Sequence, residues 1–137
     1  MFKLIKITGA RTNVPETVSA KIDGTTAYSA GCVYYLGDGQ LSKSPLTSYD
    51  LKFIALESVA ENSGKTKISG YLVTDNMVFE TDVYNDVNSI KVGNMLAGYL
   101  NTDGDVIGAD SIEGLDAVVL NADEARTKHK ILVALKW

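Results

Sequence analysis

Apolar and polar residues alternate along most of this chain, in short runs separated by turn-forming residues about every ten positions. Such alternation is typical of β-strands with one buried face. It predicts strands near residues 2–7, 17–22, 31–36, 40–43, 51–57, 66–73, 77–84, 94–100, 105–108, 116–121 and 129–135. We therefore expect a mainly β protein with less than about one-fifth helix.

Helical signals in the chain are weak. Residues 121–126 are long enough for one turn, and Asn121 followed three residues later by Glu124 has the pattern of a helix N-terminal cap. A run this short does not predict a core helix.

The strand pattern contains an internal repeat. Gly31 precedes one apolar strand, and Gly93 precedes another 62 residues later. Each copy continues with an Asp-Gly turn, an apolar strand and a basic-flanked apolar strand. Repetition at one period indicates a repeated structural unit, and chance similarity between β-rich segments is the alternative. If the repeat is structural, Gly39 and Gly104 occupy equivalent hairpin turns with positive φ.

The length of 137 residues suits one domain. We predict a single all-β domain over residues 1–137, a small β-barrel or β-tulip-like fold built of hairpins. Residues 1–16 form an N-terminal strand and arm, 28–84 a first β module and 92–137 a second, repeat-like module. Whether the two modules complete one barrel or form two lobes stays open.

The N-terminal segment is basic in an acidic chain. Lys3, Lys6 and Arg11 lie within the first eleven residues, whereas the whole chain has a net charge of −4. This asymmetry favours an acidic partner for the segment. The alternative is a solvated edge strand, on which lysine prevents aggregation.

Residues 8–16 lose the strand pattern, because Gly9, Asn13 and Pro15 interrupt it. Two interpretations follow. The segment is either a surface loop, which is favoured for an isolated monomer, or an extended arm that becomes ordered against a partner.

Composition excludes several classes of protein. The negative net charge argues against nucleic-acid binding, which needs a basic face. No apolar run approaches the roughly 20 residues that cross a bilayer, and the charged opening does not fit a signal peptide. The single cysteine, Cys32, rules out an intrachain disulfide and fits synthesis in a reducing compartment.

Candidate chemistry is sparse. The acidic stretch 101–113 is the best calcium candidate, but Val106 and Ile112 stand where an EF-hand loop needs glycine and glutamate. Cys32 and His129 are too few for a zinc site, and His129, between two lysines, is not placed for a catalytic triad. We predict no catalytic residue, cofactor or metal, and therefore no enzyme.

Tyrosine is the main aromatic residue, with seven tyrosines against three phenylalanines and one tryptophan. It suits half-buried strand surfaces as well as protein interfaces. Most tyrosines are expected in core strands, whereas Tyr28 and Tyr49, next to Ser and Thr residues, are expected to be exposed.

Several motifs follow one another in a defined order. They are Phe2–Ile7, Asn13–Glu16, Ala30-Gly31 before an apolar strand, Asp38–Lys43, Phe53–Glu57 and Gly64–Ile68. This order resembles the small capsid decoration proteins of tailed bacteriophages, also called cement or auxiliary head proteins. The resemblance covers most of residues 1–84 and more loosely 93–135, where Arg126-Thr127 replaces the usual glycine before the last strand.

The resemblance implies a non-enzymatic virion protein that binds the major capsid protein on the outer capsid surface and stabilises its lattice. Such a protein is made in the cytoplasm of the bacterial host, and self-association on the capsid is a further expectation. Neither nucleic acid nor membrane is an expected partner. Alternatives are a head-fibre base, a tail component or, less in keeping with the single Trp137, a sugar-binding module. Our candidate docking residues are Lys3, Lys6, Arg11, Asn13 and Pro15.

Overall fold

The structure is a computed structural model that describes residues 1–44, 47, 50–82, 90–96 and 117–135. Of these described residues, 46% are strand and 4% are helix, and the strands form two curled antiparallel sheets. The expectation of an all-β, barrel-like fold is therefore confirmed. The strand predicted at 105–108 lies outside the described residues.

The regular elements follow the alternation in the sequence closely. In chain order they are β1 (Phe2–Ile7), β2 (Val18–Lys21), β3 (Val33–Gly37), β4 (Gln40–Ser42), β5 (Leu51–Ala55), β6 (Lys67–Leu72), β7 (Met77–Thr81), β8 (Met95–Leu96), β9 (Ala117–Asn121), α1 (Ala125–Lys128) and β10 (Ile131–Leu135). The strands β2 and β10 alternate between more and less buried positions, as expected for strands with one buried face. The strands β3, β5 and β7 are instead buried on both faces over most of their length.

The chain divides into two compact units. Unit 1 consists of Met1–Val14 and Thr74–Trp137, and unit 2 is Pro15–Val73. Unit 2 is thus inserted into unit 1 between β1 and β7.

The sheet of unit 2 has the strand order β2-β6-β5-β3-β4 and is antiparallel throughout. It curls until its edge strands β2 and β4 approach each other, so that it forms a half-barrel. Its core contains Ala20, Ile22, Tyr28, Tyr34, Leu41, Phe53, Ala55, Val59 and Ile68.

The sheet of unit 1 has the order β1-β7-β10-β9-β8 and is also antiparallel. The rings of Phe2 and Phe79 pack edge to face, with their centroids 6.3 Å apart. This contact anchors β1 to the core of the unit, since both side chains are buried.

The two units share one strand arrangement and one register. The order β2-β6-β5-β3 in unit 2 matches β7-β10-β9-β8 in unit 1. Matching cross-strand pairs are Val33–Ile54 with Met95–Val118, Ile54–Tyr71 with Val118–Ala134, and Val18–Gly70 with Phe79–Val133. The repeat seen in the sequence is therefore a repeat of strand pairing, and it begins one strand earlier than its glycine landmarks.

The glycines that begin each copy have the same conformation. Gly31 has a φ of +78° and its N–H donates to Ala55 O at 2.7 Å. Gly93 has a φ of +86° and its N–H donates to Val119 O at 2.8 Å. Positive φ favours glycine because it has no Cβ, which explains why this landmark recurs.

The expectation that Tyr28 is exposed is wrong. Its side chain is 2% exposed and packs against the ring of Tyr34, with 4.9 Å between the centroids. The hydroxyl donates to Leu41 O at 3.2 Å, so the polar end of the ring is satisfied inside the unit. Tyr49 lies outside the described residues.

The predicted cap of the short helix is also wrong. The helix α1 begins after Glu124 and has no side-chain cap. The Asn121 side chain instead accepts a hydrogen bond from the Asp123 N–H at 2.9 Å, closing a turn two residues ahead. Asparagine competes for local backbone donors in this way.

Candidate docking surface

The strand β1 lies at one edge of the unit 1 sheet, where it pairs with β7. A β-bulge between Leu4 and Lys6 shifts its register, so that Lys3 lies opposite Glu80 and Lys6 lies opposite Val78. Positions 78 and 80 are two apart on β7 and share a face. The bulge therefore brings Lys3 and Lys6, both exposed, onto the same face of the sheet.

The chain turns sharply after β1. The Ala10 N–H donates to Ile7 O at 3.1 Å, and Gly9 adopts a φ of +81° within this turn. Residues 8–14 are exposed, Arg11 among them. The segment 8–16 connects β1 to β2 and is therefore tethered at both ends.

Asn13 is hydrogen-bonded to the edge strand. The Thr8 N–H points to the β7 side of β1 and donates to the carbonyl oxygen of Asn76, just before β7, at 2.8 Å. Because successive N–H groups of a strand point to opposite sides, the Ile7 N–H points outward, and it donates to Asn13 Oδ1 at 3.0 Å. Asn13 thus occupies one donor of the edge, whereas the half-buried Pro15 begins unit 2.

The basic residues of this edge are not engaged in ion pairs with the described residues. Within the described part of the chain, Lys3, Lys6 and Arg11 form no ion pair. Other lysines do: the ion pairs are Lys65–Glu57, Lys128–Glu124 at 2.6 Å and Lys130–Glu80 at 3.0 Å. Lys3, Lys6 and Arg11 together are called the basic edge below.

Gly39 lies in the tight turn between β3 and β4. Asp38 and Gly39 have φ values of 48° and 76°, and Gly37 pairs with Gln40 around them. Two successive residues with positive φ are typical of a type I′ hairpin turn. Gly104 lies outside the described residues.

The structure also brings together two lysines that sequence reasoning did not single out. Lys21 of β2 lies directly opposite Lys67 of β6, and both are exposed. Each belongs to an alternating Ser/Lys pattern, Ser19-x-Lys21 and Lys67-x-Ser69. This pattern marks two outward faces, but only the strand pairing shows that they are neighbours.

A cavity of about 310 Å³ on unit 1 is lined by Glu80, Asn121, Asp123, Glu124, Lys130, Ile131 and Leu132. Two of its carboxylates are held by lysines, Glu80 by Lys130 and Glu124 by Lys128. Across the described ranges, no cluster of three or more His, Cys, Asp or Glu side chains is arranged to hold a metal. The calcium candidate at 101–113 lies outside those ranges.

A scan for membrane-spanning helices in the described residues finds no helix with the necessary length and hydropathy. The chain matches no protein-family model, no curated protein and no solved structure.

Proposed function

We propose that this protein is a virion structural protein that binds the outer surface of an assembled tailed-phage capsid and stabilises the major capsid protein lattice. The observation that supports this most is the basic edge. Lys3 and Lys6 are exposed on an edge strand, Arg11 is exposed in the following loop, and none of them has an ion-pair partner among the described residues.

The edge of β1 is suited to β-strand addition. An edge strand presents unpaired N–H and C=O groups, with which an extended segment of another protein can form main-chain hydrogen bonds. Asn13 covers the edge at Ile7, so an added strand would pair with Phe2–Lys6. Lysines beside that strand would attract a capsid segment that carries carboxylates.

Lattice stabilisation then follows from mass action. A protein that binds the assembled capsid, and not the free capsid subunit, shifts the equilibrium toward the assembled form. Contacts with two neighbouring subunits add by effective concentration, so that modest individual affinities suffice. The proposed role needs no catalytic residue, cofactor or metal.

Charge reversal of the basic edge tests the proposal. We expect Lys3→Glu, Lys6→Glu and Arg11→Glu together to lower the amount of protein that sediments with undecorated heads at low salt. The difference should shrink as salt rises, because the screening length falls from about 10 Å at 0.1 M to about 3 Å at 1 M. Reversal is preferable to deletion, since residues 8–16 connect two strands of the fold.

The fold of the variant needs its own control. Reversal at Lys3 places two carboxylates opposite each other, because Lys3 faces Glu80. A variant limited to Lys6 and Arg11 avoids this pair and should keep the parent's circular dichroism and melting temperature. If the reversed protein decorates heads as well as the parent at low salt, the basic edge is not the docking surface.

A further inference from the structure

The lysine pair of unit 2 places two like charges directly opposite each other on neighbouring strands. The next residues along, Ile22 and Thr66, form a hydrogen-bonded pair, because the Ile22 N–H donates to Thr66 O at 2.9 Å. Since bonded and non-bonded pairs alternate along antiparallel strands, Lys21 and Lys67 form a non-bonded pair, in which side chains approach most closely. Like charges directly opposite each other destabilise a sheet.

Asp23, two residues after Lys21, is already engaged in hydrogen bonds. Asp23 accepts hydrogen bonds from the N–H groups of Thr25 and Thr26, both at 2.9 Å, and from the Thr26 hydroxyl at 2.7 Å. Hydrogen bonds to Thr26 are the main reason that the pKa of Asp23 falls to about 2. Lys21 and Lys67 form no ion pair within the described residues.

The Glu57 carboxylate is likewise engaged and does not pair with Lys21 or Lys67. One of its oxygens accepts from the Ser69 N–H at 2.7 Å, and the other is hydrogen-bonded to the Lys65 ammonium. Ser19 and Ser69 lie opposite each other on the same exposed face as the lysine pair. The face thus presents two ammonium groups beside two hydroxyls.

The matching positions of unit 1 are charge-balanced. Glu80 matches Ser19 in register, and its carboxylate binds Lys130, which precedes Ile131 as Lys67 precedes Ile68. Asp82 follows Thr81 at the place that matches Lys21. The same fold therefore accommodates an acidic residue here, yet unit 2 has a second lysine.

We infer that Ser19, Lys21, Lys67 and Ser69 form a docking site for a carboxylate-bearing segment of a partner protein. Each ammonium donates to carboxylate oxygens, and an acidic side chain between the two lysines removes their mutual repulsion. The inference deepens the proposed function and takes from it only the identity of the partner, the capsid protein. It adds a second contact, on unit 2, to the basic edge of unit 1.

A protein carboxylate suits this site better than a nucleic acid. Nucleic-acid affinity comes from neutralising many phosphates along a backbone, whereas this face has two free lysines in a chain of net charge −4. One or two carboxylates suffice to balance the charge of the two lysines.

Titration of the isotope-labelled protein with poly-L-glutamate tests the site without a capsid. We expect amide shifts at Ser19, Lys21, Lys67 and Ser69, reduced at least about fivefold in Lys21→Glu and unchanged in Lys91→Glu. The Lys91 side chain is also exposed and forms no ion pair among the described residues, and its substitution makes the same change in net charge. Inorganic phosphate and a single-stranded oligonucleotide serve as competing probes at matched ionic strength.

Shifts at these four residues that fall in Lys21→Glu and are strongest with poly-L-glutamate support the inference, and separate shifts at the basic edge belong to the proposed function. Equal or stronger shifts with phosphate or the oligonucleotide overturn it, as does the absence of shifts. Lys21→Glu places a carboxylate opposite Lys67, so its melting temperature should equal or exceed that of the parent. A loss of binding in this variant cannot then be attributed to unfolding.

Sedimentation with heads separates the inference from the proposed function. We expect Lys21→Glu to reduce the bound fraction at least about threefold, and Lys91→Glu to leave it unchanged. If heads bind the parent and Lys21→Glu equally, the docking site is overturned while the proposed function stands. If heads do not bind the parent at all, the proposed function fails and the poly-L-glutamate titration alone decides the inference.

Discussion

Units 1 and 2 have four strands in the same order and register, yet their outward positions differ in charge. The matching strands of unit 1 carry Glu80 in an ion pair with Lys130, and those of unit 2 carry Lys21 opposite Lys67. Register is held by the core side chains, because a slip of one residue would move them to the opposite face of the sheet. Exposed positions are free of this constraint, and they are where the two units have acquired different surfaces.

The inward positions differ in a compensating way. In unit 2 the ring of Phe53 lies against Gly70, and in unit 1 the matching residues are Ala117 and Val133. A Cβ at Gly70 would meet both the Phe53 ring and the Ile54 carbonyl oxygen. Unit 2 thus has a phenylalanine packed against a glycine, whereas unit 1 has an alanine and a valine at the matching positions.

The largest expected effect comes from making unit 2 resemble unit 1 at one position. Gly70→Val should lower the free energy of unfolding by about 3 kcal/mol or more, because overpacking adds to a backbone contact that cannot relax. Urea denaturation measures the change. Val133→Ala in unit 1 is the matched control, and it should cost less because it only removes buried methyl groups.

A double variant sharpens this comparison. Phe53→Ala alone should cost about 3–5 kcal/mol, but it makes room for the side chain added by Gly70→Val. The two changes together should therefore cost less than their sum, by more than about 0.5 kcal/mol. Additive costs would mean that the two residues do not share space and that the compensation between the units is not real.

A smaller loss of stability, equal in the two copies, is expected on substitution of the first glycine of each copy. Gly31→Ala and Gly93→Ala should each lower the free energy of unfolding by about 1 kcal/mol, because a Cβ is strained at their positive φ. No atom lies within 4 Å of a Cβ at Gly93, so the cost there is conformational. A marked loss at one glycine with none at the other would break the equivalence of the two copies.

The smallest expected effect is the loss of stability at acidic pH. Hydrogen bonds to Thr26 and Thr25 lower the pKa of Asp23 to about 2, and a hydrogen bond to the Met1 amino group lowers the pKa of Asp82. A folded-state pKa below the unfolded one gives stability that is present above about pH 4 and lost as the pH falls through 2. Asp23 is exposed, so we expect less than about 1 kcal/mol from it.

Urea denaturation of the parent and of Asp23→Asn between pH 6 and pH 2 measures the contribution of Asp23 to the free energy of unfolding. The parent should lose stability more steeply between about pH 4 and 2, because asparagine accepts similar hydrogen bonds but does not titrate. Added salt should weaken the Asp82 contribution more than that of Asp23, whose hydrogen-bond donors are uncharged. Identical pH profiles for the two proteins would contradict the assignment.

Much of the fold could be predicted from the sequence because it depends on local alternation. The strands near 2–7, 51–57 and 129–135 correspond to β1, β5 and β10 within a few residues at each end. The repeated glycines also predicted a real correspondence, since positive φ at the start of a strand restricts the choice of residue.

What depends on distant partners could not be predicted. Tyr28 has polar neighbours in sequence, and its burial follows from Tyr34 and from the carbonyl of Leu41. The Lys21–Lys67 contact joins two strands that are far apart in the chain. The basic edge was found from its charge alone, whereas its common face required the bulge at Leu4.

The insertion of unit 2 into unit 1 has a consequence for synthesis. All strands of unit 2 have been made once residue 72 leaves the ribosome, but β1 must wait for its neighbour β7 at residues 77–81. Until then the apolar side chains of β1, such as Phe2, have no sheet to join, and exposed strands of this kind are prone to aggregate. Lys3 and Lys6 would keep the nascent strand soluble during that delay. The strand β1 is thus made before the strands of unit 2 but can pair with its neighbour only after them.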